Sequence, residues 1–125
     1  NVIVAQRTRG LAVLAAIGGP SAVSVVGNTV SGNREVPGTV IEIEGSAIVT
    51  SNQLLSPLEG ATALRLRASS ATVGNNRLRG GNPSAELNVD PKQLAVVGNL
   101  TTNGIEVLGS PLGPPWDQLN PNGVI

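Results

Sequence analysis

A four-residue segment returns at nearly constant intervals. Val25-Val-Gly-Asn28, Val49-Thr-Ser-Asn52, Val73-Gly-Asn-Asn76 and Val96-Val-Gly-Asn99 place both Val and Asn at steps of 24, 24 and 23 residues. Two positions past each Asn lies Val30, Leu54, Leu78 or Thr101. Units of this length cannot bury an apolar face alone, so stacked neighbours must supply the core; the period marks a solenoid. It constrains architecture strongly and names no particular reaction.

Within each unit the pattern predicts short strands. Ala22–Val26, Ala47–Thr50, Ala71–Val73 and Leu94–Val97 end at the Asn bends, which lead into brief strands carrying Val30, Leu54 and Leu78 inward. A further strand alternates apolar and polar residues, as a half-buried strand must: Thr39–Glu44, Ala63–Arg67, Glu86–Val89 and Ile105–Val107. Its inward pairs, Ile41/Ile43, Leu64/Leu66 and Leu87/Val89, again step by 23 residues. That register stacks Glu42, Arg65, Asn88 and Glu106 in one outward column and Glu44, Arg67 and Asp90 in the next. Opposite charges then adjoin on parallel strands, which favours the register. Asn28, Asn52, Asn76 and Asn99 are expected to take left-handed bends and to hydrogen-bond as a ladder along the axis.

Residues 1–20 read as a first coil, with Val2–Ala5 in the strand position of Val25, a turn at Gln6–Arg9 and a strand at Leu11–Leu14. A helix over Leu11–Ile17 is the alternative; Val, Ile and the following Gly18-Gly-Pro20 oppose it. The expected fold is all-β: a right-handed parallel β-helix of about five coils over residues 1–108, closed by a cap over 109–125. Leucine-rich, hexapeptide and calcium-binding nonapeptide solenoids lack their signatures here. The Pro-rich segment after Leu108 is not expected to continue a ladder; Leu112, Trp116 and Leu119 would cover the last coil. No equivalent cap precedes Val2, so upstream protein or another subunit is expected there.

Composition narrows the chemistry. Eight cations balance eight anions, and with one aromatic residue, Trp116, there is neither a field nor a stacking platform for nucleic acid. Without His or Cys, nucleophilic triads and most metal sites lose their usual groups, and no cofactor is expected. No apolar run reaches the ~20 residues of a membrane span. Carboxylate pairs such as Glu42/Glu44 or Asp90/Glu106 could serve glycoside hydrolysis, but Arg neighbours account for them as surface ladders. Arg65, Arg67, Arg77 and Arg79 could form a basic stripe.

The Val-x-Gly-Asn bends, the run Gly98–Gly109 and the closing Pro-Leu-Gly-Pro-Pro-Trp-Asp-Gln-Leu-Asn segment together resemble the C-terminal part of uncharacterised bacterial right-handed parallel β-helix proteins. The resemblance covers residues 21–120 and is most specific over 94–120. It implies the fold and a place near a chain end, and carries over no catalytic residue. The expected function is therefore non-enzymatic: a structural solenoid unit of an extracellular fibre, surface appendage or phage-tail-like assembly, forming homo-oligomers or docking to other subunits. The alternatives are a carbohydrate-binding or carbohydrate-processing β-helix, with polysaccharide as partner, and an inert fragment of a longer protein.

Overall fold

The computed structural model describes residues 2–4, 11–14, 23–32, 39–56, 62–112 and 123–124. Two strands come first, β1 (Val2–Val4) and β2 (Leu11–Leu14). Sets of three follow: β3 (Val23–Val26), β4 (Thr29–Ser31) and β5 (Ile41–Glu44); β6 (Ala47–Thr50), β7 (Gln53–Leu55) and β8 (Leu64–Arg67). Next come β9 (Ala71–Gly74), β10 (Arg77–Arg79) and β11 (Ala85–Asn88), then β12 (Leu94–Val97), β13 (Leu100–Thr101) and β14 (Ile105–Val107). The short β15 (Ser110–Pro111) and β16 (Gly123–Val124) complete the described strands.

Corresponding strands of successive sets pair in parallel and build three sheets around one core. Sheet A is β1-β4-β7-β10-β13-β16, sheet B is β15-β14-β11-β8-β5-β2, and sheet C is β12-β9-β6-β3. The chain is a parallel β-solenoid. It completes three turns between β3 and β12, fewer than the five coils expected; the described strands before Val23 and after Val107 lie in sheets A and B only.

The interior follows from strand alternation, which sends every second side chain inward. Val25, Val49, Val73 and Val96 stack in sheet C, and Val30, Leu54 and Leu78 in sheet A, all buried. Thr101 follows Leu78 in the sheet A column; its buried hydroxyl accepts from the Gly104 N–H at 3.1 Å, so a polar group is satisfied there. Sheet B contributes Ile41, Leu64, Ala85 and Ile105 beside Ile43, Leu66, Leu87 and Val107. Small and branched aliphatics fill a narrow core that large rings would overpack.

Three local expectations need correction and a fourth is met. Val2–Val4 pairs with Thr29–Ser31 and so lies in sheet A, not in the strand position of Val25. Leu11–Leu14 is the expected strand, paired with β5, and the helical alternative does not form there. The inward pair of β11 is Ala85/Leu87, not Leu87/Val89. Leu54 to Leu64 spans ten residues but Leu78 to Ala85 only seven, so one shorter corner moves the register to a step of 21. Val89 is nonetheless buried, just past the strand end. Finally, pairing does not stop at Leu108: a turn through Leu108 and Gly109, both with positive φ, returns β15 antiparallel to β14, and β16 extends sheet A beside β13.

Candidate functional site

The Asn ladder forms, with a geometry finer than the repeat discloses. The residue before each Asn takes the left-handed conformation: Gly27 (φ 70°), Ser51 (59°), Asn75 (54°) and Gly98 (69°). The left-handed bend therefore belongs to that position and not to the ladder Asn. This frees each ladder Asn to turn its amide into the interior. The Oδ1 of Asn52 accepts from the backbone N and Nδ2 of Asn28 at 2.9 and 3.1 Å. Asn76 Oδ1 serves Asn52 at 3.0 Å twice, and Asn99 Oδ1 serves Asn76 at 3.0 and 2.9 Å. The Nδ2 groups of Asn52, Asn76 and Asn99 also donate back to the carbonyls of Val25, Val49 and Val73 at 2.8, 2.8 and 2.9 Å. All four Asn are buried, so this chain of bonds is structural and closed to ligands.

The charge columns on sheet B differ from expectation through the shifted β11 register. Glu42, Arg65, Glu86 and Glu106 form the first column, and Glu44, Arg67 and Asn88 the second. Asp90 leaves the column altogether. It is exposed and caps a short 3-10 turn at Pro91–Gln93, accepting from the Lys92 N–H at 2.9 Å. Arg65 Nε donates to Glu86 Oε2 at 2.9 Å. With the two side chains 44% and 32% exposed, that pair is worth under about 1 kcal/mol. The cleft among Glu42, Glu44, Arg65, Arg67 and Asn88 holds about 30 Å³, space for one water. Charge alternation fails at the last step, where Glu86 adjoins Glu106. Relieving this like-charge contact with Glu106→Arg should stabilise the fold by about 0.5 kcal/mol, read as a urea midpoint that rises in low salt and returns toward wild type in 1 M salt.

The four Arg do not make one stripe. Arg65 and Arg67 lie on sheet B, whereas Arg77 and Arg79 lie on the outer face of sheet A. There they continue two columns, Thr29–Gln53–Arg77 and Ser31–Leu55–Arg79. These six residues, with Val30 and Leu54 behind them, line a cavity of about 400 Å³. Its sequence signal is the set of outward positions one and three past Asn28, Asn52 and Asn76. Among the described residues neither guanidinium has an ion-pair or hydrogen-bond partner.

Sheet C presents a third chemistry. Its outward columns are Ser24–Ile48–Thr72–Ala95 and Val26–Thr50–Gly74–Val97, without a single charge. Val26, Ile48 and Val97 are 53%, 41% and 39% exposed. Of the expected cap, Leu112 packs against the core and its N–H donates to Ile105 O at 2.9 Å; Trp116 and Leu119 lie outside the described residues. Among the described residues no group of three or more carboxylates could hold a metal ion, and no helix is long and apolar enough to cross a membrane.

No protein-family model matches this chain, and no curated protein or solved structure matches it.

Proposed function

We propose that this chain is a non-enzymatic structural β-solenoid unit that builds an extracellular fibre, surface appendage or phage-tail-like particle by packing against copies of itself or other subunits. Sheet C carries this reading. A flat face without charge, bearing three exposed aliphatic side chains, has less to lose in leaving water than either neighbouring face. Among the described residues, sheet C has four strands where sheets A and B have six, so β3 and β12 are its edges. Parallel edges of this kind are templates for adding strands. On the same reading the chain belongs with the C-terminal segments of bacterial β-helix proteins, as its Pro-Pro-Trp closure suggests.

Magnitude decides the kind of association. Four strands about 4.8 Å apart and four residues long make a patch of roughly 250 Å². A stable pairwise interface buries about 800 Å² on each partner. Sheet C alone thus supports weak contacts that become strong when repeated along an assembly. Sedimentation velocity should show association rising with concentration, and electron microscopy should show oligomers or filaments. The double substitution Val26→Lys with Ile48→Lys should weaken association at least about tenfold with an unchanged melting temperature. A wild-type chain that stays monomeric at the highest soluble concentration would sink the proposal.

A further inference from the structure

The outer face of sheet A carries a ligand chemistry that assembly does not need. The cavity there has a graded floor: hydroxyls from Thr29 and Ser31 at one end, the Gln53 amide and Leu55 in the middle, and two guanidinium groups at the other. No carboxylate lines it. Arg77 and Arg79 are two residues apart on one strand, so their Cα atoms are about 6.6 Å apart and both side chains leave the same face. Arg65, by contrast, is engaged by Glu86. Two adjacent cations without partners among the described residues repel one another, and an anion placed between them removes that cost while gaining charge-assisted hydrogen bonds.

We infer that this cavity binds an acidic oligosaccharide, with its carboxylate or sulfate groups on Arg77 and Arg79 and its hydroxyls on Thr29, Ser31 and Gln53. Its volume of about 400 Å³ lies within the range of small-ligand sites. Other polyanions fit less well. An acidic peptide bound as an extra strand needs a free sheet edge, whereas β4, β7 and β10 are interior strands of sheet A. Single-stranded nucleic acid needs aromatic platforms, and the lining has none. The inference is independent of the assembly reading, since it concerns a different sheet and a binding equilibrium instead of particle size.

Calorimetric titration of the full chain at low salt tests it, with trigalacturonate, a sulfated oligosaccharide of equal length, neutral maltotriose and an oligoglutamate peptide as probes. At least one acidic saccharide should bind at least about tenfold tighter than maltotriose; whichever of the two binds better identifies the anionic group. The R77Q/R79Q double variant should lose at least about tenfold of that affinity while keeping the wild-type melting temperature. Arg67→Gln, which removes a cation from sheet B, should change little. Equal binding of maltotriose, equal binding of oligoglutamate, retention in the double variant, or an equal loss in Arg67→Gln would each overturn the assignment.

Discussion

Asn76→Ala should destabilise the fold by about 3–5 kcal/mol, while Asn28→Ala should cost only about 1 kcal/mol. The two side chains hold equivalent places in their repeats but stand differently in the ladder. Removing the Asn76 amide leaves the Asn52 N–H without the acceptor it reaches at 3.0 Å, and takes from Val49 O the donor at 2.8 Å. Both losses occur where water cannot replace them, because Asn52 and Asn76 are 1% and 2% exposed. Each stranded buried group costs about 1–3 kcal/mol, and the space left by the amide adds to it. Asn28 is the first rung among the described residues. It donates to Asn52, no donor to its side chain is found among the described residues, and its own backbone N–H can still reach Asn52 Oδ1. Asn76→Asp separates hydrogen bonding from shape. One carboxylate oxygen can keep serving Asn52, but the other would face Val49 O and Asn99 Oδ1, which now accept at 2.8 and 2.9 Å. Burial and these acceptors would raise that carboxyl's folded pKa above its unfolded value of about 3.9. The penalty relative to wild type is therefore small below pH of about 4 and grows as pH rises above it. Urea melts of both chains at pH 4 and 7 read this directly, and a pH-independent difference would remove the ladder from the explanation.

The ladder also shows what a linear repeat can disclose. Asn spacing fixed the axis, and the alternation in Thr39–Glu44 and Ala63–Arg67 fixed the inward positions, because both signals are local and periodic. The expected columns failed where one corner shortened. Between Leu78 and Ala85 the chain takes seven residues where the preceding coil takes ten, so counting by a constant period misplaces Asn88 and Asp90. Charge alternation favours the wrong register, because Asn88 in place of Glu86 hides a like-charge contact with Glu106. The left-handed position was misplaced by one residue for a different reason. Gly27, Ser51, Asn75 and Gly98 share a conformation but only partly a residue type, so composition hides what φ shows. Arg77 and Arg79 were visible throughout, yet their separation from Arg65 and Arg67 depends on a sheet assignment that the intervening corner creates.

That same corner gives the other large effect. Gly80→Ala should cost about 4 kcal/mol or more, against about 1–2 kcal/mol for Gly27→Ala. Both glycines have positive φ, 81° and 70°, so both substitutions carry the left-handed penalty. They differ in space. A Cβ on Gly80 would lie 2.0 Å from Ser56 O and 3.0 Å from Ser56 C, whereas one on Gly27 meets nothing within 4 Å. The obstacle at Gly80 is backbone and cannot rotate aside. Ser56 is moreover held to this coil by its N–H donating to Arg79 O at 2.8 Å, so relief of the clash strains that bond. Ser51 and Asn75 already occupy left-handed positions like that of Gly27, which shows that a Cβ is acceptable where space is open. Denaturant midpoints for the two variants provide the comparison; equal losses would mean that φ alone matters and the close approach does not. Because Gly80 follows Arg79 directly, a variant that still folds should also shift the guanidinium at the end of the sheet A cavity. Its affinity for an acidic saccharide should then fall more than that of Gly27→Ala, linking the tightest backbone contact of the corner to the adjacent cations of the sheet A cavity.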